Sequence, residues 1–344
     1  MRTFLLTIAV IAAPFTAQAS TLTDTFTSFW ALGDSLSDDG NLPLPVFLAT
    51  RPDAPISDRE GKAAFYAPGN APRYSNGRTF VEYIAAAFDA AGRNTGNFAR
   101  GGAEAAEPAL PGDPTPGLAF QRQELADASA EFGSRPLVSI LIGANDIFEA
   151  LASADPIANA IGAAIGAANA VADTARFLGR QGVDDFLIAN LPDLGATPAF
   201  ALFQPGARIL ASAATNAYNA QLAANIATLE AEGLNVIDLD IYGQLNSILA
   251  NPGDFGLGNT TLPCVFPNAG VAALLGQQPV CTDRQSIDRL FFDAVHPNAI
   301  AHEQFGRIAL DTIEADLAPV PLAGSLPLLL TGLGAVAALR RRRA

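Results

Sequence analysis

Short apolar runs alternate with longer stretches of helical spacing along this chain. The apolar runs fall at Ser28–Leu32, Asn97–Ala99, Leu137–Ile142, Asp185–Ala189 and Asn235–Asp240. Apolar positions at a spacing of three and four predict helices over Thr79–Ala91, Ala119–Ala130, Pro156–Arg180, Ala207–Glu232 and Asn298–Leu317. Strands that alternate with helices predict an α/β fold, a parallel sheet covered on both faces. The stretch Ala158–Val171 is almost entirely Ala, Gly and Ile. Asp155 and Asp173 bracket it, and it is too short and too small-residued to read as a membrane span.

Two segments break the alternation. Residues 42–78 are rich in Pro, Gly, Asn and Arg, and residues 251–288 carry both cysteines with several Gly and Pro. Long loops inside a compact domain are commonly functional, and these two are expected to border the site and shape its pocket.

The two ends follow neither pattern. Arg2, the apolar run Phe4–Ala13 and Ala17-Gln18-Ala19 read as a signal peptide over residues 1–19, cut after Ala19. Residues 20–317 are then the folded body. Residues 318–344 form a linker containing Pro319 and Pro321, an uncharged apolar run Leu322–Leu339, and Arg340–Arg343. Such a run is long enough to span a bilayer, with the arginines held on the cytoplasmic side. The expected location is the periplasmic side of the inner membrane, followed by the cell surface or the medium.

Charge and cysteine content fit export. The formal net charge is −14, which repels nucleic acid and anionic lipid at long range. Cys264 and Cys281 are the only cysteines, and in an oxidising compartment they are expected to pair. Two cysteines and two histidines in unrelated contexts make no recognised zinc spacing, so no metal is expected.

Candidate chemistry gathers at the expected strand ends. Ser35 follows the first apolar run within ALGDSLSDDGN, where a serine can act as a nucleophile if a base reaches it. Alone, Gly-Asp-Ser is also an ordinary helix start. His296 in FFDAVHPN is the candidate base, with Asp293 three residues before it to fix the tautomer. The other histidine, His302, is expected to be a partly exposed residue of the last helix. Gly101 and Gly102 in NFARGGAE can turn backbone N–H groups toward a ligand, and the Asn145 amide in LIGANDIF is a further donor.

These four blocks carry a resemblance. GDSLSDDGN, NFARGGA, GAND and DAVHPN occur in order from residue 33 to residue 298 and resemble the GDSL, or SGNH, family of serine esterases and lipases. YSNGRTFVEY (74–83) and NLPDLGATP (190–198) resemble the secreted lecithinase/haemolysin branch. The resemblance implies a flavodoxin-like fold, a three-layer sandwich around five parallel strands. It implies Ser35 as nucleophile, His296 as base and Asp293 as its orienting acid. The oxyanion hole would be the Ser35 N–H, the Gly102 N–H and the Asn145 side chain, supported by Asp34, Asp38, Asn41 and Asp146. No cofactor is implied, and the implied partner is an ester substrate, a lipid or an acylated small molecule. Acyl transfer and polysaccharide deacetylation share the mechanism, and a non-catalytic surface or matrix protein is the reading of a different class. The tail VPLAGSLPLLLTGLGAVAALRRRR resembles VPLPA or PEP-CTERM sorting signals, which implies a sorting protease as a further partner.

Overall fold

The structure, a computed structural model, describes residues 22–41, 73–106, 116–278, 280–281 and 283–318. The expected signal peptide, the apolar tail and most of the loop 42–78 lie outside the described residues. Among the described residues no helix is long and apolar enough to cross a membrane.

Five parallel strands form one sheet in the order β2-β1-β3-β4-β5. They are β1 (Ser28–Gly33), β2 (Asn94–Asn97), β3 (Pro136–Leu141), β4 (Asp185–Ala189) and β5 (Asn235–Leu239). Every residue of β1, β3 and β4 is buried, as expected where helices cover both faces of a parallel sheet. Side chains on both faces pack against helices, so these central strands are mostly apolar, with Ser28, Ser139 and Asp185 as buried polar exceptions. β2 and β5 are the edges and carry more polar residues.

The longer helices are α1 (Phe80–Ala90), α2 (Leu118–Asp127), α3 (Ala144–Ala152), α4 (Pro156–Gly179), α5 (Arg208–Ala231), α6 (Ile241–Ala250) and α7 (Ala299–Leu317). α7 packs against α1 and α6 on one face, and α4 packs against α2, α3 and α5 on the other. α4 buries an alanine stripe of Ala160, Ala164, Ala167, Ala168 and Ala175. Small side chains let its backbone approach α5 closely. The run Ala158–Val171 is thus a helix interface of the folded body.

The second strand departs from expectation. It is Asn94–Asn97, not the apolar residues 97–99. Its register runs from Ser28 opposite Asn94 to Ala31 opposite Asn97. An edge strand needs no apolar run on either side, so its polar sequence gave no signal. α3 and α6 carry no expectation from the sequence; both follow directly on strand ends.

Cys264 and Cys281 form a disulfide. The Cys264 and Val265 N–H groups donate to the carbonyls of Phe291 and Phe292, at 3.0 and 2.7 Å. The cross-link therefore closes a loop that is hydrogen-bonded to the chain just ahead of Asp293.

Candidate active site

The first three strands all deliver residues to one place, the carboxyl edge of the sheet. β1 ends at Gly33, whose N–H and C=O are both engaged by the Gln121 side chain from α2, each at 2.8 Å. A Cβ at Gly33 would lie 2.5 Å from the Leu141 carbonyl, so only glycine lets the chain turn here. The turn presents Ser35 with its Oγ 2.7 Å from Nε2 of His296.

His296 comes from the segment ahead of α7. The Asp293 carboxylate accepts the N–H groups of Val295 and His296, both at 2.9 Å, and so folds the chain back on itself. The same carboxylate lies 2.8 Å from His296 Nδ1. An ionised carboxylate is acceptor-only, so the ring proton belongs on Nδ1 and Nε2 is left to accept from Ser35. Pro297 follows, and Asn298 caps α7 by accepting the Ala301 N–H at 2.9 Å. Asp293 is 1 % exposed and Ser35 and His296 are each 7 % exposed, so the three are nearly dry but reachable. The Tyr74 ring packs on the imidazole at 5.1 Å between centroids.

Donors for a developing oxyanion surround Ser35. Gly102 has φ +83°, which aims an exposed peptide that a side-chain-bearing residue would strain to make. The Ser35 and Gly102 N–H groups donate to no acceptor among the described residues. Asn145 opens α3 and spends one amide hydrogen on the Ala103 carbonyl at 2.8 Å, leaving the second for a ligand. These groups line a cleft of about 320 Å³ together with Phe148, Val265 and Pro267.

The four supporting residues hold the loops rather than face the cleft. Asp146 accepts the Ala105 and Ala106 N–H groups, both at 2.8 Å, and pins the loop after Gly102. Asp38 accepts from Gly101 at 2.8 Å and from Gly40 and Asn41 at 2.8 and 2.7 Å. The Asn41 amide ties to the Asn97 and Ala99 carbonyls at 3.1 and 2.9 Å. Asp34 accepts the Leu36 N–H through Oδ1 at 3.0 Å, while its buried Oδ2 has no partner among the described residues. Burial pushes the Asp34 carboxyl up to about 7, against that hydrogen bond and reinforced by the nearby charge of Asp146. Burial likewise raises Asp38 and Asp146.

His302 corrects the sequence reading. It is fully buried rather than partly exposed, at 0 %. The expectation treated the AHEQFGR segment as a surface helix, but α7 turns His302, Phe305 and Ala309 inward together. Neither ring nitrogen has a hydrogen-bond partner among the described residues. Gln121, Tyr74 and Tyr218 were not singled out from the sequence. The Tyr218 hydroxyl donates to the Ile142 carbonyl at 2.6 Å, just before the Gly143 turn. Gln121 and Tyr218 sit in unremarkable helical contexts, and only the fold brings them to the strand ends.

The family model for GDSL-like lipase/acylhydrolase matches residues 30–308. The chain belongs to that family. It is accordingly a GDSL hydrolase acting on ester bonds. The phosphatidylcholine-sterol acyltransferase of Aeromonas hydrophila is 26% identical over 258 residues, which is 72% of this chain and 68% of that protein. An acetylxylan esterase, Axe2 of Geobacillus stearothermophilus, superposes with a TM-score of 0.44 at 13% identity, covering 86% of this chain and 96% of Axe2. A Parabacteroides merdae protein of the GDSL-like lipase type gives 0.46 at 11% identity, covering 86% and 97%.

Proposed function

We propose that the protein is an exported carboxylic-ester hydrolase that works through Ser35, His296 and Asp293. The observation that carries the reading is the unbroken relay from Ser35 Oγ through the imidazole to the Asp293 carboxylate, at 2.7 and 2.8 Å. His296 Nε2 takes the hydroxyl proton as Ser35 Oγ bonds to the ester carbonyl carbon. The carbonyl oxygen becomes an oxyanion held by the Ser35 and Gly102 N–H groups and the Asn145 amide. As the tetrahedral species collapses, the bond to the alcohol oxygen breaks and His296 returns the proton to that oxygen. Water then repeats the sequence on the acyl-enzyme and releases the acid. Side chains, backbone and water suffice for every step.

A fluorophosphonate probe is expected to label Ser35 stoichiometrically, read by mass spectrometry of the modified peptide. Labelling that leaves Ser35 unmodified sinks the mechanism and favours a non-catalytic surface or matrix protein. An acceptor alcohol in place of water would turn the same acyl-enzyme to acyl transfer. The likeness to an acyltransferase is the observation that favours testing for a transesterified product.

Export rests on the signal-like residues 1–19, and anchoring on Leu322–Leu339 with Arg340–Arg343. The body then faces the periplasm until a sorting protease releases it to the surface or the medium. Chain cut after Ala318 is expected to be soluble and active, because no motif residue lies beyond Asn298 and the cut leaves α7 whole. The expectation fails if that truncate is insoluble while the full-length chain stays soluble without detergent.

A further inference from the structure

Two cavities meet at Ser35. One is the open cleft, about 320 Å³, that carries Tyr74, Gly102, Val265 and Pro267. The other is a narrow recess with an open interior of only about 30 Å³, walled by Leu36, Leu194, Leu245, Phe291 and Phe305. Ser35, Asn145, Phe148, Val295 and His296 line both, so the nucleophile stands at their junction.

We propose that the recess is the acyl pocket and that it restricts the enzyme to short acyl groups. The inference rests on Ser35 being the nucleophile. Once the carbonyl carbon is at Ser35 Oγ and its oxygen at the oxyanion donors, the two remaining substituents must diverge. The recess is the more apolar and more enclosed direction; outside the groups at Ser35 itself, Asp34 is its only titratable neighbour among the described residues. The cleft is the open one, with room for an alcohol portion of varied size. Measured alike, the recess has about 30 Å³ of open interior against about 320 Å³ for the cleft, so a short acyl chain fits it and a long one meets its walls. The walls cannot swing aside easily. Leu194, Leu245, Phe291 and Phe305 are each at most 3 % exposed and come from four separate parts of the fold. A longer chain would have to displace packed core rather than a loop.

The test is kcat/KM on 4-nitrophenyl esters from acetate to dodecanoate, all presented as monomers. The expected optimum lies between acetate and butyrate, with a loss of about 100-fold or more by octanoate, since overpacking a rigid site is strongly unfavourable. Leu245→Ala and Leu194→Ala open the recess from different walls and should each move the optimum two or more carbons longer. Circular dichroism identifies a variant that fails to fold, and the wild-type profile decides the matter without either. A wild-type optimum at octanoate or beyond overturns the assignment, as does an unchanged profile in two folded variants. Fluorophosphonate titration of the same samples separates the possible failures. A labelled Ser35 with a long-chain optimum overturns the pocket alone, whereas an unlabelled Ser35 overturns the hydrolytic mechanism as well.

Discussion

Ser35→Ala and His296→Ala are each expected to lower turnover by about 10⁴-fold or more, with the double variant little worse than either single one. The nucleophile and base act as a unit: without the imidazole, the Ser35 hydroxyl keeps its proton and attacks poorly. Without Ser35 Oγ, the base has nothing to activate at 2.7 Å. Asp293→Asn tests orientation separately. The amide oxygen can still accept the Val295 and His296 N–H groups, so the turn survives. It can no longer stabilise the imidazolium or select the Nδ1–H tautomer in the same way, and a loss of about 10⁴-fold is expected. Asn145→Ala removes one of three oxyanion donors and should cost about 10²–10³ in turnover. Single-turnover rates on one activated ester, alongside thermal melts, check the set. A His296→Ala protein with near wild-type turnover would remove the imidazole from the reaction.

Much of this arrangement was legible from sequence because central strands and motifs advertise themselves. β1, β3 and β4 are buried on both faces and so are mostly apolar. The residues just past their ends and in the His296 turn are small, acidic or amide-bearing in a spacing that few other structures need. The sequence alone therefore groups Ser35, Asn145, Asp293 and His296 around one point. β2 was displaced because an edge strand has no such signature: Asn94, Thr95, Gly96 and Asn97 look like a turn until paired with β1. Gln121 was invisible for a different reason. Two of its three side-chain hydrogen bonds go to the backbone of Gly33, 88 residues away, and nothing in the neighbouring sequence marks a glutamine that will be fully buried. The recess beside Ser35 was equally unreadable, since its walls come from segments distant in sequence.

His302 was misjudged by its neighbours. The flanking Glu303 and Gln304 suggest a surface helix, yet α7 presents His302 to the core beside Phe305, at 6.1 Å between ring centroids. That burial carries the second large expected effect. Loss of solvent, and secondarily the charge of His296, push the His302 imidazole down from 6.5 to about 3. The unfolded chain takes up this proton below about pH 6.5, whereas the native state does so only near pH 3. Stability from this group is thus fully present above pH 6.5 and is lost as pH falls toward 3, by about 1.4 kcal/mol per pH unit and about 5 kcal/mol in all.

Asp34 works in the opposite direction. Its native value near 7 lies above the ordinary 3.8, so its burial costs nothing in acid and increasingly more as pH rises through that interval. The two partly cancel in the wild-type profile, and only a difference measurement isolates the histidine. His302→Leu keeps similar volume, carries no proton and leaves no buried ring nitrogen unpaired. Urea unfolding at a series of pH values should show the variant gaining on the wild type by about 1.4 kcal/mol for each pH unit below 6.5. Parallel stability curves for the two proteins would mean that the native imidazole takes up its proton as readily as the unfolded one, and the buried, uncharged His302 would have to be abandoned.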